Sequence, residues 1–146
     1  MNRKWFSIIV RGIINIWINM HHLGTHILVE LYGCDRELLN DPAKVEQIMN
    51  DAAVKSGATI VSSHSNLFNP HGVSAVVIIA ESHITIHTWP EHGYAAVDVF
   101  TCGESVSPWV VKDIMEKELK AERTSAMEMR RGLFDHPVAY KTEKSD

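Results

Sequence analysis

The chain has 146 residues, 45% of them apolar and 22% charged, with a net charge of −4. That length and composition fit one domain able to bury its own core, and they exclude a disordered chain or one that needs disulfides or a structural metal to fold. The basic residues are scattered, which excludes the basic stripe of a nucleic-acid-binding surface.

Residues 1–19, MNRKWFSIIVRGIINIWIN, have a basic start and apolar stretches like a signal peptide, but Arg11 and Asn15 interrupt them and no small-residue cleavage site follows. The segment is also too broken to span a bilayer, so no membrane association is expected. We read 1–19 as an N-terminal extension outside the fold and 20–146 as the domain, with Met20 a candidate start. THILVELYGCD (25–35) alternates like a strand and stops at Gly33. A helix follows, with Asp41 as N-cap, Pro42 in the first turn, an apolar stripe of Val45, Ile48, Met49 and Ala52, and Gly57 as its stop. ATIVSSHSNLF (58–68) is a second strand, and Asn69-Pro70-His71-Gly72 is a turn. The apolar density of VSAVVIIA (73–80) predicts a strand buried on both faces.

Next comes ESHITIHTWPEHG (81–93), where Ile84 and Ile86 alternate with His83, Thr85 and His87 until Pro90 and Gly93 make a turn. YAAVDVFTC (94–102) is another strand. Ser107-Pro108 repeats the cap-plus-proline device ahead of a helix with Val111, Ile114, Met115 and Leu119 inside. SAMEMRRG (125–132) alternates once more and reads as a strand edge before a polar tail. The order β-α-β-β-β-β-α-β predicts an α+β fold, a two-layer sandwich of an antiparallel sheet with two helices on one face.

The density of ionisable groups in 81–93 needs a chemical reason. Ser82, His87 and Asp98 are the residue types of a hydrolytic triad, but no G-x-S-x-G elbow surrounds Ser82. A metal site built from His71, His83, His87 and His92 fares no better. His83 and His87 share a strand face yet stand about 13 Å apart at the strand's rise per residue, too far for one ion. No Cys/His spacing matches a zinc site, so no metal is expected. Cys34 and Cys102 read as reduced thiols of a cytoplasmic protein.

ESHITIHTWPEHGYAAVDVFTCG (81–103), together with HILVELYGCD and the turn NPHGVS, resembles the S-adenosylmethionine decarboxylases of the short prokaryotic type, which are made as proenzymes. The likeness runs from about Met20 to Gly132, leaving the first nineteen residues outside. It implies self-cleavage between Glu81 and Ser82 and conversion of Ser82 into a covalent pyruvoyl group, the only cofactor. That group would hold the substrate as a Schiff base and serve as the electron sink. His87 matches the proton acceptor in processing, which suits an imidazole. Ser74 matches a residue that supports processing by hydrogen bonding at the junction. Cys102 matches the proton donor in catalysis, which suits a thiol.

Phe68 matches a position that stacks on the adenine, with His87 on the other face, and Glu91 a carboxylate that holds the ribose. The resemblance further implies a homodimer of cleaved β/α protomers with sites at the interface. Its product would be decarboxylated S-adenosylmethionine, the aminopropyl donor for spermidine. Two alternatives stay open: a pyruvoyl-dependent arginine or ornithine decarboxylase, and a ligand-binding homologue that never matures. Residues 82 and 87 fall on opposite faces of an ideal strand, which predicts a bulge or bend at the junction. His83, His92 and Trp89 read as neighbours of the site, and Cys34 as a buried hydrophobe.

Overall fold

Strict alternation of apolar and polar side chains builds most of this molecule, and the computed structural model describes residues 21–139 of it. The elements are β1 (His21–Tyr32), α1 (Arg36–Leu39), α2 (Pro42–Lys55), β2 (Ile60–Leu67), β3 (Val73–Ile79), β4 (Ser82–Trp89), a 3-10 turn (Pro90–His92), β5 (Tyr94–Cys102), α3 (Pro108–Glu118) and β6 (Arg123–Phe134). The strands form one antiparallel sheet in the order β2-β3-β4-β5-β1-β6, so β6 is the edge next to β1. The α+β architecture expected from the sequence is therefore present, with a short helix, α1, added between β1 and α2. The extension 1–19 lies outside the described residues.

One face of the sheet carries the core. Ile27, Val29 and Leu31 of β1, Ile84 and Ile86 of β4, and Val97 and Val99 of β5 are buried with Val45 and Met49 of α2 and Val111 and Met115 of α3. Both long helices begin as the sequence predicts, with proline in the first turn. Asp41 caps α2 by accepting from the Lys44 N–H at 3.1 Å. Ser107 occupies the cap position of α3, but its hydroxyl makes no capping bond.

The second face lies open. Ile78 is 46% exposed and Val76 half-buried, so β3 is buried on one side within the chain, not on both as its composition predicts. The helices cover a single face, and apolar density alone does not say how many layers cover a strand. Leu28, Met127 and Met129 are exposed on the same open side, where Leu28 pairs with Met127 and His26 with Met129.

Candidate active site

Ala80 and Glu81 are the two-residue turn between β3 and β4, and Ile79 pairs with Ser82 directly across it. Three backbone groups fix this corner. The Ala80 N–H donates to the Thr59 carbonyl at 2.8 Å, and the Cys102 N–H donates to the Glu81 carbonyl at 2.7 Å. The Thr59 N–H in turn donates to the Glu81 carboxylate (Oε2) at 3.2 Å. The carbonyl preceding Ser82 is thus polarised by a donor already in place for negative charge on its oxygen, the arrangement that favours nucleophilic attack at its carbon. Ser82 itself has φ +152°, outside the regions L-residues favour, which costs on the order of 1–3 kcal/mol.

The expected register-shifting bulge is absent. Pairing is unbroken from Ser82 to His87 with β3 and from Ser82 to Trp89 with β5, so distortion is confined to the backbone angle at the corner. Alternation therefore holds, and His87 lies on the open face with Ser74, its cross-strand partner. Ser74 Oγ and His87 Nδ1 are 2.6 Å apart, so the serine hydroxyl meets the imidazole and not the junction. Residue 87 is five positions from residue 82, roughly 16 Å along the strand.

His87 and Ser74 line a cleft of about 490 Å³ with Phe68, Pro70, His71, Trp89 and Glu91, a volume suited to a small ligand. Phe68 is 52% exposed, so its ring is free to stack. The Glu91 carboxylate pairs with His71 Nε2 at 3.1 Å. His71, considered for a metal in the sequence, is here the partner of the acid. Among the described residues no group of three His, Cys, Asp or Glu could hold a metal ion, and no helix is long and apolar enough to cross a membrane. His92 follows Glu91 in the 3-10 turn, while His83 lies on the open face among His26 and Phe100.

Within one chain the expected site residues fall into two separate groups. Glu81, Ser82 and Cys102 form the corner, and Phe68, Ser74, His87 and Glu91 form the cleft. A family model described as S-adenosylmethionine decarboxylase matches residues 25–132. The chain belongs to the S-adenosylmethionine decarboxylase family.

A relative from Clostridium tetani named S-adenosylmethionine decarboxylase proenzyme is 56% identical over 84% of this chain and 97% of its own length. One of the same name from Thermotoga maritima is 54% identical over 80% and 89%. The crystal structure of the adenosylmethionine decarboxylase from Aquifex aeolicus superposes with a TM-score of 0.72 at 35% identity, covering 85% of this chain and 98% of that one.

Several residues around this decarboxylase-family site escape a reading of sequence alone. Gly24 lies inside β1 opposite Cys102, and a Cβ there would come within 2.6 Å of the Thr101 carbonyl and 3.2 Å of Cys102 Sγ. The signal was available, since a glycine inside a strand marks a close approach. Thr88 is buried beneath the cleft, where its hydroxyl donates to the Leu39 carbonyl at 2.7 Å and accepts from the Val73 N–H at 2.8 Å. Removing it leaves buried backbone groups unpaired, at about 1–3 kcal/mol each. Asn40 Oδ1 accepts from the Gly72 N–H at 2.9 Å and so ties the Phe68–Gly72 turn to α1. Nothing in the one-dimensional pattern marks Asn40 or Thr88, because their partners are more than ten residues away in sequence.

Proposed function

We propose that this chain is an S-adenosylmethionine decarboxylase that cuts itself between Glu81 and Ser82 and works as a pair of copies sharing each site. The observation that carries the reading is the hydrogen bond from the Cys102 N–H to the Glu81 carbonyl, at a strained corner directly before a serine.

The chemistry follows from the residues. The Ser82 hydroxyl attacks the Glu81 carbonyl carbon, the C–N bond breaks, and the amide becomes an ester with a free Ser82 amine. Loss of the Ser82 Cα proton to a base then expels the Glu81 carboxylate from Cβ. The dehydroalanine left behind tautomerises to an imine, takes up water and releases ammonia, giving a pyruvoyl group at the head of the new chain. The corner suits such a group, because the only backbone bond that must break lies at the end of a two-residue turn and the flanking strands remain paired. The pyruvoyl ketone supplies the electron sink that decarboxylation of an amino acid requires.

His87 is the base for the Cα proton, with Ser74 fixing its ring through Nδ1. Its remoteness from Ser82 within one chain requires that a second copy deliver it. The cleft then completes the first copy's corner. Phe68 and His87 hold the adenine, and Glu91, held by His71, takes the ribose hydroxyls and favours a sulfonium cation nearby. Cys102 returns a proton to the substrate carbon. The apolar residues of the open face, Leu28, Ile78, Met127 and Met129, give the second copy a surface to cover.

Denaturing mass spectrometry tests the processing step. Two fragments meeting at Glu81/Ser82 are expected, the second with a blocked start. Ser82→Ala leaves the chain whole, and Cys102→Ala still cuts but turns over at least a hundredfold more slowly. Carbon dioxide release from S-adenosylmethionine, arginine and ornithine tests the substrate. Preference for either amino acid refutes the adenosyl assignment.

A further inference from the structure

Thr101 is one of the most deeply buried polar residues described, at 1% exposure, and its Oγ1 has no hydrogen-bond partner. Two other side-chain atoms share that condition among the described residues, Asn50 Oδ1 and Thr124 Oγ1, and neither belongs to a strand residue paired with the Glu81–Ser82 junction. Thr101 differs, because it is the direct cross-strand partner of Ser82. The Cys102 N–H bond to the Glu81 carbonyl makes 81/102 the hydrogen-bonded rung, so 82/101 is the alternate rung, where opposed side chains stand closest. Strand alternation sets both with the helix-facing residues Ile84, Ile86, Val97 and Val99. A buried hydroxyl with no partner calls for a physical account, and this one faces the residue whose hydroxyl must attack.

We propose that Thr101 is a positioning residue for self-cleavage: rotation of the Ser82 side chain brings its hydroxyl onto the unpartnered Thr101 Oγ1, and that contact holds it in the rotamer that attacks the Glu81 carbonyl. The idea rests on the self-cleaving reading above. It deepens that reading, because it gives the nucleophile a second contact from β5, the strand that already supplies the Cys102 N–H to the carbonyl. Thr101 accepts the Ser82 O–H and leaves an oxygen lone pair free for the carbonyl carbon. Its place inside the ladder, between Thr25 of β1 and Ser82 of β4, holds Thr101 fixed while the corner reacts.

The test follows first-order cleavage of freshly synthesised full-length chain. Thr101→Val keeps shape and burial while removing the oxygen. It should fold with an unchanged or raised melting temperature and cut about 10- to 100-fold more slowly than wild type. Thr101→Ser and Thr101→Ala form a second pair that differs only by the hydroxyl, so loss of the methyl cancels. The serine variant should cut at least tenfold faster than the alanine variant. Hydroxylamine, which cleaves esters, locates the step: it should release no extra fragment from Thr101→Val, because the ester forms slowly. Wild-type cutting by Thr101→Val, equal rates for the serine and alanine variants, or rapid hydroxylamine cleavage of Thr101→Val each overturn the proposal. A wild-type chain that never cuts refutes the self-cleaving reading instead, so the two failures are distinguishable.

Discussion

Residue chemistry in this protein depends on what the backbone leaves room for. Cys102 keeps its side-chain position because the residue opposite it on β1 is Gly24, where any Cβ would press on the Thr101 carbonyl and on Cys102 Sγ. Backbone cannot yield as a flexible side chain does, so the strand or the thiol must shift. We expect Gly24→Ala to lower the melting temperature and to reduce turnover by tenfold or more, while the mature fraction still forms. Separate assays of cut fraction and of carbon dioxide release check this, and full activity per mature site would refute it. Cys34 shows the opposite environment: burial pushes its thiol up to about 11, so it holds little thiolate at neutral pH and suits packing, not proton transfer. The two cysteines could be ranked from sequence only through the motif around Cys102, since their burial depends on β1 and β5 meeting.

The elements were more legible than the contacts between them. Asp41-Pro42, Gly57 and the stripe from Val45 to Ala52 mark α2 because capping and a 3.6-residue period act locally. The four-residue α1 was not readable, being held by an Asp35 cap that accepts from the Glu37 and Leu38 N–H groups and by the cleft it supports. The β3–β4 ladder shows what alternation does predict: it puts Ser82 and His87 on opposite faces, and no bulge intervenes.

The same alternation sets His83 on the open face with His26 of β1, Asp98 of β5 and Arg131 of β6 around it. Burial, then the His26 charge, hold its pKa below the ordinary histidine value, while Asp98 opposes them. In the unfolded chain His83 takes up a proton below about pH 6.5 that the folded chain resists, so stability falls as pH drops through that range. Melting temperatures from pH 7.5 down to 5 should fall less steeply for His83→Gln, provided the variant folds. Parallel slopes for variant and wild type would exclude His83 as the source.

The whole molecule raises a question that one chain cannot answer from within. The corner and the cleft lie roughly 16 Å apart on a continuous ladder, so no rotamer joins them. The proposed twofold pair of chains would resolve this, because each copy would give its cleft to the other's corner and receive one in return. The proposed pairing would also account for the apolar density of β3, because a second copy on the open face would cover the side left half-exposed in one chain.

The decisive experiment mixes two defective chains. Ser82→Ala has no nucleophile but an intact cleft, and His87→Ala has the nucleophile but no base. Each alone should stay uncut. Coexpressed with distinguishable tags, they form mixed pairs in which one corner is whole. Only the His87→Ala chains should then be cut, and random pairing restores about a quarter of wild-type sites. If mixed pairs form and neither chain is cut, the base does not come from the second copy.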